Sequence, residues 1–438
     1  MKLPAGSTTK SAVLDELRQA ATGDADWRSG KTWSLVYNAG EDIEDLLKQA
    51  YLTFFSSNAL SPMAFPSLRK FETEVLEMAA GLLHGDTAAG SMTTGGSESI
   101  LMALKTARDW ARATRANTPQ AAAPEVVVPV SAHPAFHKAA HYLGLKVVHT
   151  SIDESFRADI QATADAITDA TILVVGSAPS FPQGVIDPIP ELAALAHGRG
   201  ILCHVDACVG GYFLPFLERI GEPVPAWDFR VPGVTSISAD LHKYGYAARG
   251  ASTVLYRDRA LRRHQFHVHS DWSGGLYGSP SMTGSRAGGP IAAAWAVMKF
   301  LGSDGYERLT RSAMATTRRL MVGVRAAGMR VLGEPVMSTF SFVADDLDVY
   351  ALCDAMDARG WKIDRQQRPP SAHVVVSPGH ARIVEPFLAE LTQVAAGLRS
   401  GTPAPPGSAA MYGAAAIAPD RRMVGEMILG FMDNLDAR

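Results

Sequence analysis

Thr235-Ser-Ile-Ser-Ala-Asp-Leu-His-Lys-Tyr-Gly-Tyr246 is the stretch on which the fold is decided. Its first residues alternate as a half-covered strand does, and the chain then delivers a His242-Lys243 pair at the strand's end. Tyr244, Gly245 and Tyr246 around the lysine point to a confined, partly apolar pocket. Burial there is expected to lower the pKa of Lys243 and free its amine for attack on an aldehyde, as a Schiff-base lysine requires. The bland alternative is an exposed surface lysine.

Upstream, Ile201 to Val205 is a second strand-like run, and Asp206 closes it. A carboxylate at the carboxyl end of a buried strand sits where open α/β sheets bind ligands, and it needs a cationic partner. A pyridinium nitrogen would be one, because the pair keeps the ring protonated and able to absorb the electrons of a broken bond. The alternative is a strand-end Asp that caps Gly210-Gly211. Further upstream, Gly95-Gly96-Ser97 opens a strong helix pattern. Glycines there let backbone N–H groups approach an anion, and the helix dipole and the Ser97 hydroxyl add attraction, so a phosphate fits; an ordinary turn with Ser97 as N-cap fits too.

Lysine, strand-end carboxylate and anion-binding turn together point to pyridoxal 5'-phosphate as cofactor. His133 follows strand Val126 to Val130 and is placed to stack on the cofactor ring and guide protons, and Cys208 to pack beneath it. His242 is a candidate donor to the cofactor phosphate, against the commoner structural role of a lone histidine. His137 and His141 share a helix face with His133, but no carboxylate completes a ligand set nearby, and no metal is expected.

From Ser97 helices and strands alternate: helix to about Ala113, strand Val126 to Val130, helix Ala135 to Leu143, strand Lys146 to Thr150, helix Ala158 to Ile167, strand Thr171 to Gly176. Helix Pro190 to Arg199 and strands Ile201 to Asp206, Thr235 to Ala239 and Ser252 to Tyr256 follow. This predicts an α/β large domain with a mostly parallel, doubly covered sheet. Helical patterns at Glu41 to Phe55 and Phe65 to Leu83 precede it. After Pro290, long helices (Ile291 to Leu301, Tyr306 to Ala327) and short strands near Ser338 to Val343 and Val374 to Ser377 predict a small α+β domain. The division expected is an N-terminal segment 1–60, a large cofactor-binding domain 61–290 and a C-terminal domain 291–438.

Bulk properties exclude several classes. With 438 residues, 47% of them hydrophobic, the chain is globular, and a net charge of −3 with mixed signs leaves no basic stripe for nucleic acid. The three cysteines, Cys203, Cys208 and Cys353, form no disulfide framework, which fits a reduced, cytoplasmic setting. No secretory h-region or membrane-spanning stretch is read, so a soluble protein is expected.

The residues quoted above, with several longer strings, resemble the pyridoxal phosphate enzymes of fold type I, decarboxylase group II, and among them the sphingosine-1-phosphate lyases. The strings are Val175-Gly-Ser-Ala-Pro-Ser-Phe-Pro-Gln-Gly184, His204-Val-Asp-Ala-Cys-Val-Gly-Gly211, Trp227 to Tyr246, Trp272-Ser-Gly-Gly-Leu-Tyr-Gly-Ser-Pro280, Gly284-Ser-Arg286 and Met411 to Arg421. The resemblance implies retro-aldol cleavage of a phosphorylated long-chain amino alcohol to a fatty aldehyde and phosphoethanolamine. It also implies a homodimer with sites completed at the interface, for which the segment from Tyr277 and the Ser285-Arg286 pair are candidates. Eukaryotic members carry a membrane anchor, so a bacterial-type soluble enzyme is the inference here.

Lys243 would hold the cofactor, and Tyr37 matches a tyrosine that the family uses near the substrate phosphate. Arg249 stands where a second lysine is usual; it keeps the cation but cannot act as a base. Where the family reads His-Pro-Asp, this chain has Ser61, Pro62 and Met63, so an imidazole is missing. Tyr246, Tyr37 and a water remain open as the β-hydroxyl base. The alternative function is a group II amino-acid decarboxylase, which needs the same Lys243, Asp206 and His133.

Overall fold

Seven short strands between residues 89 and 256 build the frame that positions everything else, in a computed structural model that describes residues 3–115 and 123–435. They are β1 (Ala89–Thr93), β2 (Glu125–Pro129), β3 (Lys146–Thr150), β4 (Thr171–Ser177), β5 (Leu202–Asp206), β6 (Ser236–Ala239) and β7 (Ser252–Tyr256). The sheet order is β1-β7-β6-β5-β4-β2-β3, with β7 antiparallel to both neighbours and the other pairs parallel. Strands β2, β4, β5, β6 and β7 are buried along their whole length, because helices cover both faces of the sheet. Strand β3 is the edge and carries exposed Lys146 and His149 instead.

Register brings the candidate residues together. Asp206 pairs with Ser177 of β4 on one side and Ser238 of β6 on the other, so the carboxyl ends of three parallel strands form one ledge. Strand β1 had no strand signal in the sequence, since Ala-Gly-Ser-Met-Thr neither alternates nor carries β-branched apolar residues. Two successive antiparallel pairings, β1 with β7 and β7 with β6, leave β1 parallel to β6. Its carboxyl end therefore meets the same ledge, and the Gly95-Gly96 turn follows it directly.

A hairpin, β8 (His267–Trp272) with β9 (Gly275–Ser279), stands off the body with every residue of β8 exposed. The two helices expected after Pro290 appear as Gly288–Ala326 with a break at Gly302, where φ is 55°. The small sheet is antiparallel in the order β10-β11-β13-β12, from β10 (Arg330–Val331), β11 (Thr339–Val343), β12 (Asp364–Gln367) and β13 (Pro370–Val375). Its core of Phe340, Phe342, Trp361 and Phe387 also takes in Trp33, which is fully buried. Burial of such a side chain contributes roughly 1.5–3 kcal/mol, enough to fasten the N-terminal segment around it. Thr32 bridges Lys362, and the Trp33 carbonyl accepts the Val375 amide, so residues 32–37 run along the small sheet toward the ledge. Among the described residues no helix is long and apolar enough to cross a membrane.

Candidate active site

A cleft of about 660 Å³ opens over the ledge. Lys243, Asp206, His133, His242, Cys208, Gly95, Gly96, Ser97, Tyr37 and Arg249 all line it. Lys243 arrives one turn past β6, and its Nζ lies 3.0 Å from Oδ2 of Asp240, a carboxylate that is almost wholly buried. Here the structure corrects the sequence expectation. Burial is the largest single influence and would depress the lysine, but the Asp240 carboxylate together with Cys208, Tyr37 and Asp206 outweighs it and holds the ammonium above its usual range. Asp240 in turn stays ionised, because Lys243 and His242 overcome the cost of its burial.

The remaining groups match the parts of pyridoxal phosphate. Asp206 Oδ1 accepts from the Cys208 amide (3.1 Å) and from Ser238 Oγ (3.3 Å), while its second oxygen has no partner among the described residues. A carboxylate oriented by two donors, with one oxygen left over, suits a protonated ring nitrogen. His133 exposes its ring to the cleft; its Nδ1 accepts the Ala135 amide at 3.1 Å, and burial holds it neutral against the pull of Asp206. A neutral, flat ring over the cleft is a stacking surface. Cys208 is buried, and burial pushes its thiol far above the ordinary range, so it is a packing residue and not a nucleophile.

At the other end of the cleft, the helix Gly96–Thr114 begins, and the amides of Gly95, Gly96 and Ser97 find no acceptor among the described residues. A Cβ on Gly96 would lie 2.8 Å from Cys208 Sγ and 2.9 Å from Asp240 Oδ2, so only glycine lets helix, cysteine and carboxylate meet. Glu98 fixes this turn: one carboxylate oxygen accepts from the Thr94 amide and hydroxyl, both at 2.7 Å, and the other accepts the Met282 amide at 2.9 Å. His242 Nδ1 accepts the Ala251 amide at 3.3 Å, which leaves Nε2 to carry the hydrogen toward an anion. Open amides, the helix dipole and this imidazole make a phosphate cradle. The residues therefore fit the cofactor at both its ends.

Arg249 and Tyr37 stand beside each other, the guanidinium carbon 5.7 Å from the centre of the phenol ring. Burial raises the Tyr37 phenol although Lys243 and Arg249 pull the other way, so it is held protonated and suits donation to an anion. Tyr246 is not brought to the cleft. Its phenol is buried without a partner among the described residues, its ring stacks on Tyr306 at 6.2 Å, and it lines a neighbouring cavity of about 170 Å³. Burial pushes that phenol up as well, which leaves it unsuited to be the base. Ser61 and Met63 lie outside the cleft, with Met63 83% exposed. Arg286, a candidate for the subunit interface, donates to Glu72 of its own chain at 2.7 Å and 2.9 Å.

Several lining residues were not read from the sequence: Asp240, Asp364, Ser34, Leu35 and Phe181. Asp240 had a signal, since it precedes Lys243 by one helical turn in the opening stretch. Leu35 is 71% exposed and takes the left-handed φ of 69°, a strained position at the cleft mouth that no pattern announces.

Comparison with known proteins agrees with this geometry. Residues 8–344 match the model of the pyridoxal-dependent decarboxylase conserved domain. A sphingosine-1-phosphate lyase of Arabidopsis thaliana is 42% identical over 96% of this chain and 79% of its own. Sphingosine-1-phosphate lyase 1 of Rattus norvegicus is 42% identical over 99% of this chain and 76% of its own. Among solved structures, a sphingosine-1-phosphate lyase of Burkholderia pseudomallei superposes with a TM-score of 0.90 at 36% identity, covering 100% of this chain and 97% of that one.

Proposed function

The chain belongs to the pyridoxal-dependent decarboxylase family and, within it, to the sphingosine-1-phosphate lyases, and from that premise we propose that it is an aldehyde-lyase acting on a phosphorylated long-chain amino alcohol. The bond cleaved lies between the amine-bearing and hydroxyl-bearing carbons, and the products are a fatty aldehyde and phosphoethanolamine. Pyridoxal 5'-phosphate is the cofactor; when bound it supplies the aldehyde that captures an amine and the ring that accepts an electron pair. The observation that carries the function is a second anion site, Arg249 beside Tyr37, in the same cleft as Lys243, Asp206 and His133. One phosphate cradle serves the cofactor, so a further cation lining the same cleft implies a further phosphate on the substrate.

Each residue then has a task. Gly95, Gly96, Ser97 and His242 would bind the cofactor phosphate, Asp206 would hold a proton on the ring nitrogen, and His133 and Cys208 would enclose the ring. Lys243 would hold the cofactor through its amine, and Asp240 at 3.0 Å would hold the lysine's charge whenever that amine is free and protonated. Arg249 and Tyr37 bind the substrate phosphate, which leaves a water as the open candidate for taking the hydroxyl proton. As that proton leaves, the carbonyl forms, the carbon–carbon bond breaks, and the amine-bearing carbon takes up a proton before release.

We also place the enzyme in the cytoplasm as a homodimer. Three buried free cysteines support the first. Exposed Val268, Trp272 and Leu276 on the β8–β9 hairpin support the second. A fully active monomer in light scattering would contradict the dimer.

The test is incubation of the purified, cofactor-loaded protein with phosphorylated and unphosphorylated long-chain amino alcohols and with common amino acids. Aldehyde from the phosphorylated amino alcohol alone is expected, and carbon dioxide from an amino acid would establish a decarboxylase instead. Borohydride reduction should leave the pyridoxyl group on Lys243, and Lys243→Ala should abolish turnover.

A further inference from the structure

The cleft has one wall with no task in the scheme above. Asp364 opens β12 and lies directly across from His373 of β13, so the two side chains share a face of the small sheet. Asp364 is 39% exposed and lines the cleft, whereas His373 behind it is fully buried. Ser34, from the N-terminal segment, donates its hydroxyl to Asp364 Oδ1 at 2.9 Å.

Hydrogen-bond accounting defines what this wall lacks. His373 Nε2 lies 2.9 Å from the Phe181 carbonyl oxygen and 3.1 Å from Thr339 Oγ1. A carbonyl can only accept, so Nε2 carries a hydrogen, and Nδ1 is the ring nitrogen turned toward Asp364. Nδ1 has no hydrogen-bond partner among the described residues, and 3.7 Å separates it from Asp364 Oδ2. Asp364 Oδ2 thus has no donor within hydrogen-bond distance among the described residues, and it borders the cleft. A ligand hydroxyl or ammonium meets that need, while a ligand carboxylate is repelled.

We propose that Asp364 is a selectivity residue, by which the cleft accepts ligands with a hydrogen-bond donor beside the amine-bearing carbon and rejects those with a carboxylate there. This rests on the proposed function and sharpens it. With the amine at Lys243 and the phosphate at Arg249, the remaining substituent of that carbon faces the small-sheet wall. In an amino alcohol this substituent carries the hydroxyl; in an amino acid it is the carboxylate. Asp364 thus separates the two substrate classes by charge.

Phosphoethanolamine and O-phosphoserine form a matched pair for the test, since they differ by one carboxylate on the amine-bearing carbon. Both are titrated into cofactor-loaded wild type and Asp364→Asn, and dissociation constants are read from the absorbance change of the cofactor. The wild type should prefer phosphoethanolamine, and Asp364→Asn should reduce that preference by about tenfold or more. Ser34→Ala, which removes a neighbour and not the charge, should leave the preference within about threefold of wild type. An unchanged preference in Asp364→Asn with full cofactor content, or an equal collapse in Ser34→Ala, overturns the assignment. Failure of the wild type to release aldehyde from the long-chain substrate would instead overturn the proposed function, and the matched-pair comparison would still decide the role of Asp364.

Discussion

Replacing Gly96 by alanine tests the assembled site more sharply than removing any functional group, because it adds only one methyl. That carbon would stand 2.8 Å from Cys208 Sγ, 2.9 Å from Asp240 Oδ2 and 3.0 Å from Asp240 Oδ1. None of the three has slack. Cys208 is buried beneath the turn, and Asp240 is drawn to Lys243 at 3.0 Å. Either the helix start must back out of the cradle or Asp240 must retreat from the lysine. Overpacking of this kind costs about 1–3 kcal/mol, which is roughly a 5- to 150-fold loss in cofactor affinity if the bound state bears it. Gly95→Ala supplies the control in the same turn. Its φ of 163° is ordinary extended backbone, and its Cβ would meet only His242 Cε1 at 3.3 Å, so a change within about threefold is expected. The assay is absorbance titration of cofactor-free protein with pyridoxal phosphate, with borohydride trapping to count the Lys243 adduct. Equal affinities for the two variants would show that the Gly96 contacts do not govern the cradle.

Three further outcomes follow from the charges. Arg249→Lys should keep part of the activity with a raised KM, because a point cation replaces a bidentate one, whereas Arg249→Met should lose the preference for phosphorylated over unphosphorylated substrate. Asp240→Asn removes the charge that holds the Lys243 ammonium, so the free amine should prevail at lower pH and the pH profile of cofactor attachment should move down; an unmoved profile would mean that another group sets the lysine. Burial lowers His204 and His380 to about 4 from 6.5 and raises Asp187 to about 6 from 3.8. Each histidine contributes stability that is present above pH 6.5 and lost as pH falls toward 4, about 3 kcal/mol apiece, while Asp187 regains a similar amount over the same interval. Urea midpoints should therefore fall on acidification from pH 7 to 4.5, and fall more steeply in Asp187→Asn.

Much of the site was legible because it sits in contiguous stretches. Lys243, His242 and the overlooked Asp240 share one turn after one strand, and Asp206 and Cys208 share another. Strand type and order of function were readable wherever a strand is buried on both faces, since β2, β4 and β5 are near-continuous apolar runs. Strand β1 and the exposed hairpin carried no such run, and neither was recognised. Tyr246 stands apart from the cleft for a related reason. Sequence places it near Lys243, but its φ of 56° turns the chain there and sends the ring back into the core against Tyr306. The acidic wall was invisible, because Ser34 and Asp364 meet only after the N-terminal segment has been fastened to the small sheet by Trp33.

That fastening explains how a chain with so distributed a site forms it at all. The cofactor end is laid out by the large sheet: the parity of two antiparallel pairings brings β1 to the ledge where β5 and β6 end, and the phosphate turn and the lysine then lie side by side. The substrate end depends on the small sheet, since Ser34, Leu35 and Tyr37 reach the cleft only as residues 32–37 run along it. The two ends should therefore fail separately. Truncating the Trp33 side chain removes a fully buried anchor from the small core, at a cost of about 3–5 kcal/mol, yet touches nothing in the cradle. Trp33→Ala should bind pyridoxal phosphate with near-normal affinity while losing its hold on phosphorylated amines. A parallel loss of both would show that the cradle too depends on the N-terminal segment, and that the sheet alone does not assemble it.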